Sequence, residues 1–253
     1  MSPPTKLYVG WDVGGWHCDR NASSRDALVV TALIDGEVTF IGQHWRGNLR
    51  ALLMQHTGHE LATGMLKLCG LRLSETTEIV IAIDTPLGWP SAMMCLAQGG
   101  ATSFVSASDG ENPYTRRETE LELIRRGFTP LSAVRDMLGS QSTKGIHFLR
   151  AAGLEEDTCG LWRRKSGGGG YVTAMETYPA VALQADRIRS LQAAVIGRSG
   201  AGLQDKGKPM HDDIRDALAC SLVAYMFAER STEIDPIPAH VPSGEGWIVL
   251  PMQ

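Results

Sequence analysis

Cysteine, aromatic residues, excess positive charge and long apolar runs are all scarce in this 253-residue sequence. The five cysteines are scattered and form no CxxC pair, which disfavours a zinc ribbon and a disulfide framework. The net charge of −4 disfavours a surface coated with basic residues, although it leaves room for a local basic groove. The longest apolar run, residues 217–228, is too short to cross a bilayer, and the N-terminus has no signal-peptide core. We therefore expect a soluble cytoplasmic protein with no membrane partner.

Apolar segments of strand length and helix length alternate along the chain and predict an α/β protein. A hairpin is predicted around Asp35 and Gly36, because an Asp-Gly pair between two apolar segments is typical of a tight turn. Residues 77–84 are apolar and β-branched almost throughout, as in a strand covered on both faces. The predicted elements are strands at 7–12, 27–34, 37–45 and 77–84, helices at 48–70, 114–127 and 132–153, a strand ending at Glu176, and a helix beginning near His211. Without an internal repeat or a linker, the sequence predicts a single domain over residues 1–253, with a helical and loop insertion at about residues 99–170.

Three acidic residues, Asp12, Asp84 and Glu176, each occupy the carboxyl end of a predicted strand. In open α/β sheets these strand ends line the ligand crevice. Taken singly, each acid also fits a turn or a helix cap. Asp84 is the most informative, because the segment before it is apolar up to the acid, where a charge is costly unless a cation or several donors compensate it. Three acids at equivalent positions favour a common site.

The helix predicted from His211 adds two further acids. After its first turn this helix is apolar nearly all round, which predicts burial on most sides. Asp213 and Asp216 are three residues apart and share a face with Cys220, so they are expected to point inward. Acids in a first helical turn also complement the helix dipole, but that explanation suits Asp212 better than Asp216.

Carboxylates grouped in this way cannot all stay ionised without a cation. Oxygen ligands suit Mg²⁺ or Mn²⁺, and two such ions about 3.5–4 Å apart support phosphodiester hydrolysis. The sequence therefore predicts an enzyme, a metal-dependent hydrolase with Mg²⁺ or Mn²⁺ as cofactor and with Asp12 between the metals.

The order of these features resembles the RNase H-like plan: a strand ending in Asp, two hairpin strands, a fourth strand ending in an acid, and DxxDA at the start of a late helix. The segment DIRDALA is similar to the last active-site motif of RuvC-type Holliday-junction resolvases. More closely, the chain looks like the family called domain of unknown function 429, described as a predicted nuclease with an RNase H-like fold. The segments that carry this resemblance are AIDTPLGWP, RRETE, METYPA, HDDIRDALACSLVAY and EGWIVLP, and it extends from Gly10 to Pro251.

The resemblance implies an α/β fold with an RNase H-like mixed sheet, in which the first three strands are antiparallel, later strands are parallel, and helices flank the sheet. It implies nuclease activity on DNA or RNA. It also implies catalytic and metal-ligand roles for four residues: Asp12, Asp84, Asp213 and Asp216. Glu176 matches the METYPA motif rather than the resolvase pattern, so it is expected to be catalytic but is not assigned as a ligand.

Six residues are candidates for contact with the nucleic acid: Arg116, Arg117, Arg163, Arg164, Lys165 and His211. Glutamates interleave with the first two arginines, which favours a solvated helix with internal ion pairs instead. The basic residues at 163–165 lie beside four glycines, in a loop that either closes over a nucleic-acid backbone or has no role. His211 is the histidine best placed to act beside the acidic helix, although a histidine at a helix entry is commonly structural.

Two other functions stay open at this point. The segment GWDVGG also resembles the first phosphate loop of actin-like ATPases, which would make the protein a sugar-kinase-like phosphotransferase. That function needs a second DxG loop and a glycine-rich adenosine loop before a helix, and DTPLG and SGGGG match these poorly. A non-catalytic binding module of the same fold is the third alternative, which an intact set of inward acids disfavours. The sequence decides neither between DNA and RNA nor the oligomeric state.

Overall fold

A computed structural model of the chain describes residues 4–72, 77–103, 111–164, 171–203 and 209–253. Its strands are β1 (Lys6–Asp12), β2 (Asp26–Ile34), β3 (Glu37–Phe40), β4 (Trp45–Gly47), β5 (Glu78–Asp84), β6 (Glu155–Thr158), β7 (Leu161–Arg163) and β8 (Val172–Glu176). Its helices are α1 (Arg50–Gln55), α2 (His59–Leu68), α3 (Ser91–Ala97), α4 (Glu118–Arg125), α5 (Gly139–Ala151), α6 (Pro179–Ala182), α7 (Asp186–Ser199) and α8 (Asp212–Glu229).

The strands form one mixed sheet in the order β3-β2-β1-β5-β8-β7-β6, with β4 also paired to β2. The central strands β1, β5 and β8 are parallel, and the outer pairs are antiparallel. The predicted α/β class, with antiparallel opening strands, later parallel strands and flanking helices, is confirmed. The predicted hairpin is confirmed as well, and Asp35 and Gly36 both have the positive φ, 53° and 80°, that its tight turn needs.

Several element boundaries differ from the prediction where the backbone changes direction. The strand predicted at 37–45 is split into β3 and β4 around Gly42, which has a φ of 70°. The helix predicted at 48–70 is divided into α1 and α2 at Gly58, which has a φ of 59°. The segment predicted as a helical and loop insertion contains α4 and α5, but it also contributes β6 and β7, which extend the sheet. Strands of three and four residues leave little pattern in a sequence.

The sheet has a hydrophobic core on each face. Alternate residues of β1 separate onto the two faces, as the strand period requires. Tyr8 packs with the buried face of α8, whereas Val9 and Trp11 pack with α1, α2 and α5. Among the described residues, no helix combines the length and the apolarity needed to cross a membrane.

Helix α8 lies almost directly on β1. A Cβ atom placed on Gly10 would lie 1.8 Å from the carbonyl oxygen of Ala217, so the helix can approach this closely only where the strand has a glycine. Ala217 is in the second turn of α8, one residue after Asp216. This contact therefore fixes the first turn of α8 beside the carboxyl end of β1.

Candidate active site

Asp12 and Asp84 end two neighbouring parallel strands and are direct register partners. Adjacent strands lie about 4.8 Å apart, so the two residues are neighbours across the sheet. Both follow the alternation that places Tyr8 and Val80 against α8, which puts their side chains on the α8 face. The structure thus confirms the predicted proximity of these two acids. Within the described residues, neither carboxylate accepts a hydrogen bond or forms an ion pair.

Glu176 ends β8 but belongs to the other face of the sheet. Its register partner is Ile83 rather than Asp84, and Ile83 packs in the core opposite α8. Arg117 donates to both carboxylate oxygens of Glu176, with distances of 2.8 Å from Nη1 and 2.6 Å from Nη2. The backbone N–H of Leu87 donates to the same group at 2.8 Å. This buried ion pair supports a structural role for Glu176, and its catalytic role stays a prediction from the sequence.

The first turn of α8 brings Asp213 and Asp216 towards the two strand-end acids. Oδ2 of Asp213 accepts hydrogen bonds from Arg46 Nε at 2.7 Å and from the backbone N–H of Arg25 at 3.0 Å. Asp213 is therefore already paired with a cation. Asp216 has only a longer contact, 3.5 Å from Oδ1 to Arg215 Nε. Of the two helix acids, Asp216 is the less compensated.

The pKa values of Asp12, Asp84 and Asp216 are all raised. Burial raises the pKa of Asp84 to about 8, and the charges of Asp216 and Glu176 add to the rise. Burial also raises the pKa of Asp12 well above its usual range, and the charges of Asp84, Asp213 and Asp216 raise it further. Burial raises the pKa of Asp216 in the same direction. A group of carboxylates in this condition favours the binding of a proton or of a cation.

A cleft of about 200 Å³ opens over these strand ends and contains Asp12, Asp84 and Glu176 in its lining. We call it the acid cleft. Thr85, a residue that is 4% exposed, also lines this cleft, and its buried hydroxyl has no hydrogen-bond partner in the described part of the chain. Tyr178 adds a phenol whose pKa is raised by burial and then by the charge of Asp84, so it stays a neutral donor. The remaining lining is mostly apolar, from Val13, Pro86, Pro130, Leu131, Leu138 and Ile248, with Ser24, Gln141 and Thr177 as its polar members.

The acids fit a hard divalent cation by their chemistry, because carboxylate oxygens are the ligands that Mg²⁺ and Mn²⁺ prefer. The positions of the acids fit a metal ion less well than their chemistry does. No group of three or more His, Cys, Asp or Glu side chains in the described ranges is arranged to hold a metal ion. The pairing of Asp213 with Arg46 is consistent with this result, since it already occupies one carboxylate oxygen.

The arginines predicted to contact nucleic acid do not gather at the acid cleft. Arg117 is fully buried, and its guanidinium is occupied by Glu176 and Glu120. Arg116 is 8% exposed and donates to the carbonyl of Pro130 at 2.9 Å. Burial and internal partners disfavour phosphate contact by these two residues, and that contact stays a prediction from the sequence.

The predicted basic loop at 163–165 lies towards the other end of the sheet. Arg163 is the register partner of Thr173, three residues before Glu176 and hence about 10 Å along β8 from the acids. It forms an ion pair with Asp157, and the guanidinium of Arg164 lies against Gly58. Lys165 lies outside the described residues. The direction of β7 thus removes Arg163 and Arg164 from the cleft.

His211 is the N-cap residue of α8. Its Nδ1 accepts a hydrogen bond from the backbone N–H of Asp213 at 3.2 Å. This is the structural role that a histidine at a helix entry often has, and contact of His211 with a substrate stays a prediction.

One charged cluster next to the site was not predicted. Lys144 of α5 is fully buried and forms a short ion pair with Asp26, which is also fully buried. Lys144 Nζ also lies 3.2 Å from the carbonyls of Gly14 and Gly15. Asp26 in turn accepts from Trp11 Nε1 at 3.1 Å and from the backbone N–H of Gly14 at 2.9 Å. The pair therefore holds the residues on both sides of Asp12.

A signal for this cluster was present in the sequence. Asp26 begins an apolar strand, whereas Lys144 has Ser140, Gln141 and His147 at helical spacing and only Phe148 as an apolar neighbour, so the signal comes from Asp26 alone. An aspartate within an apolar strand indicates a buried acid that needs a partner. The separation of Asp26 and Lys144 in the chain gives no indication that they pair with each other.

Comparison with known proteins adds no relative to this description. No family model, no curated protein and no solved structure matches the chain.

Proposed function

We propose that the protein is a metal-dependent nuclease that hydrolyses phosphodiester bonds in DNA or RNA at the acid cleft. One observation carries the proposal. The buried acids Asp26, Glu120, Glu176, Asp213 and Glu245 all have hydrogen-bond or ion-pair partners. Asp12 and Asp84, which adjoin each other, have neither within the described part of the chain. Uncompensated carboxylates are costly, and a cation bound between them would remove the cost.

The proposal includes an RNase H-like fold. Three features agree with that plan: β1 to β3 are antiparallel, β5 and then β8 continue the sheet parallel to β1, and acids lie at the strand ends. The sequence motifs that resemble the family domain of unknown function 429 are consistent with it. We infer membership of that family from these motifs alone.

Asp12 and Asp84 would hold the cation, with Asp216 as the third oxygen ligand from the first turn of α8. A divalent cation supplies Lewis acidity towards a phosphate oxygen when it is bound at such a site. Tyr178 presents a neutral donor to the same cleft, suited to orienting an oxygen of a phosphodiester. The apolar wall offers contact area to a sugar or a base.

The test is cleavage of labelled single-stranded and duplex DNA and RNA with Mg²⁺, Mn²⁺ or EDTA. We expect cleavage that needs the metal and that Asp84→Asn reduces by about a thousandfold or more, since several kcal/mol of barrier at about 1.4 kcal/mol per tenfold correspond to that loss. Asp186→Asn is the matched control, because Asp186 is an exposed acid whose side chain is 94% accessible. Circular dichroism would show that both variants are folded.

Cleavage that survives EDTA, or that Asp84→Asn leaves intact, would overturn the proposal. Hydrolysis of ATP stimulated by a sugar, without cleavage of any nucleic acid, would identify a phosphotransferase instead.

A further inference from the structure

The loop between β1 and β2 places basic residues next to the acid cleft. Ser24 lines the cleft together with Asp12. The next residue, Arg25, donates its backbone N–H to Asp213 at 3.0 Å. Arg46, in the short strand β4, donates from Nε to the same oxygen of Asp213 at 2.7 Å. Two arginines therefore stand at the rim of the cleft.

Two further arginines, Arg20 and Arg50, extend this surface away from the rim. Arg46 Nη2 donates to the carbonyl of Ala22 at 2.9 Å, which ties β4 to the loop. Arg50 Nη1 lies 2.7 Å from Nδ1 of His17 in the same loop. The pKa of Asp19 is lowered first by a hydrogen bond from Asn48 and also by the charges of Arg50 and Arg20, so these two arginines flank one acid.

The charge of this region is positive although the chain is not. Four arginines, Arg20, Arg25, Arg46 and Arg50, are at least partly exposed here. Against them stand Asp19 and Asp213, while Asp26 is buried and neutralised by Lys144. The acids Asp35 and Glu37 lie at the opposite end of β2, in the hairpin turn. In a chain with a net charge of −4, such a grouping creates a local attraction for anions.

We propose that Arg20, Arg25, Arg46 and Arg50 form an arginine surface that binds the sugar–phosphate backbone of a nucleic acid whose neighbouring phosphate enters the acid cleft. This inference rests on the proposed function and gives it a binding surface. Arginine suits the task because its planar guanidinium pairs with phosphate oxygens through two parallel hydrogen bonds. In this proposal the arginine surface has the role that the sequence predicted for the basic residues at 116–117 and 163–165.

The experiment measures binding separately from cleavage. Fluorescence anisotropy of a labelled single-stranded oligonucleotide, in EDTA and at several salt concentrations, would compare the wild-type protein with Arg20→Gln/Arg50→Gln. This pair lies away from the acids of the cleft. The matched control is Arg125→Gln/Arg189→Gln, which removes the same charge from exposed arginines with 58% and 53% side-chain accessibility.

We expect the slope of log affinity against log salt to fall by about 1.5 in Arg20→Gln/Arg50→Gln, because each phosphate contact contributes about 0.7 to 0.9 to that slope. The control should keep the wild-type slope. Equal losses in the two double variants, or no loss in the first, would overturn the arginine surface. A folded wild-type protein that binds no oligonucleotide would overturn it as well.

The same data separate this inference from the nuclease proposal. Binding that depends on Arg20 and Arg50, without cleavage in Mn²⁺, would retain the surface and reject the nuclease. Metal-dependent hydrolysis of bis(p-nitrophenyl) phosphate by the wild-type protein, without the expected loss of oligonucleotide binding, would retain the acid cleft and reject the surface.

Discussion

Two sets of carboxylates lie close together at one end of the sheet. One set is paired with buried cations and the other is not. Asp26 is paired with Lys144, and Glu176 is paired with Arg117. Asp12 and Asp84 have no such partner in the described residues. The paired acids sit where strands and loops must be held together. The unpaired acids sit where a cleft reaches the sheet.

The comparison indicates what each set does. A buried ion pair with several hydrogen bonds holds backbone segments in place, and loss of one partner leaves an uncompensated charge. An unpaired carboxylate next to another holds nothing together in the free protein, because its charge only repels its neighbour. Replacing a paired acid or its partner should therefore cost stability. Replacing an unpaired acid should cost function and leave stability unchanged or improved.

The largest effect on stability is expected from Lys144→Met. It would leave Asp26 buried without its cation, and breaking a buried pair in this way costs about 3–5 kcal/mol. Urea denaturation would measure the loss. The exposed Lys67→Met is the control, and a surface change of that kind should stay within about 0.5 kcal/mol.

The double variant Lys144→Met/Asp26→Asn tests the same pair by removing both charges. With both charges removed, the double variant should be more stable than Lys144→Met alone, because no buried charge is left unpaired. Equal stability of the single and double variants would show that the pairing of Lys144 with Asp26 is not what holds the loop after Asp12.

A smaller effect is expected when metal is added. A ligand that binds only the folded state stabilises it by about 2.7 kcal/mol at a concentration one hundred times its dissociation constant. Mn²⁺ should raise the melting temperature of the wild-type protein, and Asp12→Asn and Asp84→Asn should lose most of that rise. Glu176→Gln should have a lower melting temperature but keep the rise. Loss of the rise in Glu176→Gln alone would reverse the roles given to the two sets.

A dependence of stability on pH is also expected in the metal-free protein. Asp84 has a pKa of about 8 in the folded protein, against about 3.9 in an unfolded chain. Between these values the folded state keeps a proton that the unfolded state releases, so the free energy of unfolding decreases as pH rises. We expect the melting temperature to fall between about pH 5 and pH 8, with a shallower fall in Asp84→Asn. A melting temperature that rises over this range would contradict the raised pKa.

The sequence predicted the elements that carry strong local patterns. The Asp-Gly hairpin, the apolar strand β5 and the long buried helix α8 each followed from one segment of chain. The adjacency of Asp12 and Asp84 followed from their common place at the ends of parallel strands. Boundaries failed at Gly42 and Gly58, where a single residue with positive φ ends an otherwise continuous pattern.

Pairing between distant residues could not be predicted. Arg117 reads as one member of an alternating run of arginines and glutamates, and only the packing of α4 against the end of β8 makes it the partner of Glu176. The pleat places Glu176 on the face opposite Asp84, and that depends on the register of β8 with β5. The arginine surface is drawn from residues that are up to 30 positions apart and that meet only after β4 pairs with β2.

The contact of Gly10 with Ala217 has a consequence for how the site is made during synthesis. Asp216 follows Asp12 by 204 residues, so its helix is translated well after the strand that ends in Asp12. Until that helix emerges from the ribosome and settles on the glycine, a nascent chain carries the strand acids without the acids of α8. The complete acid set therefore forms only after α8 has emerged, and a chain terminated before α8 would lack it altogether.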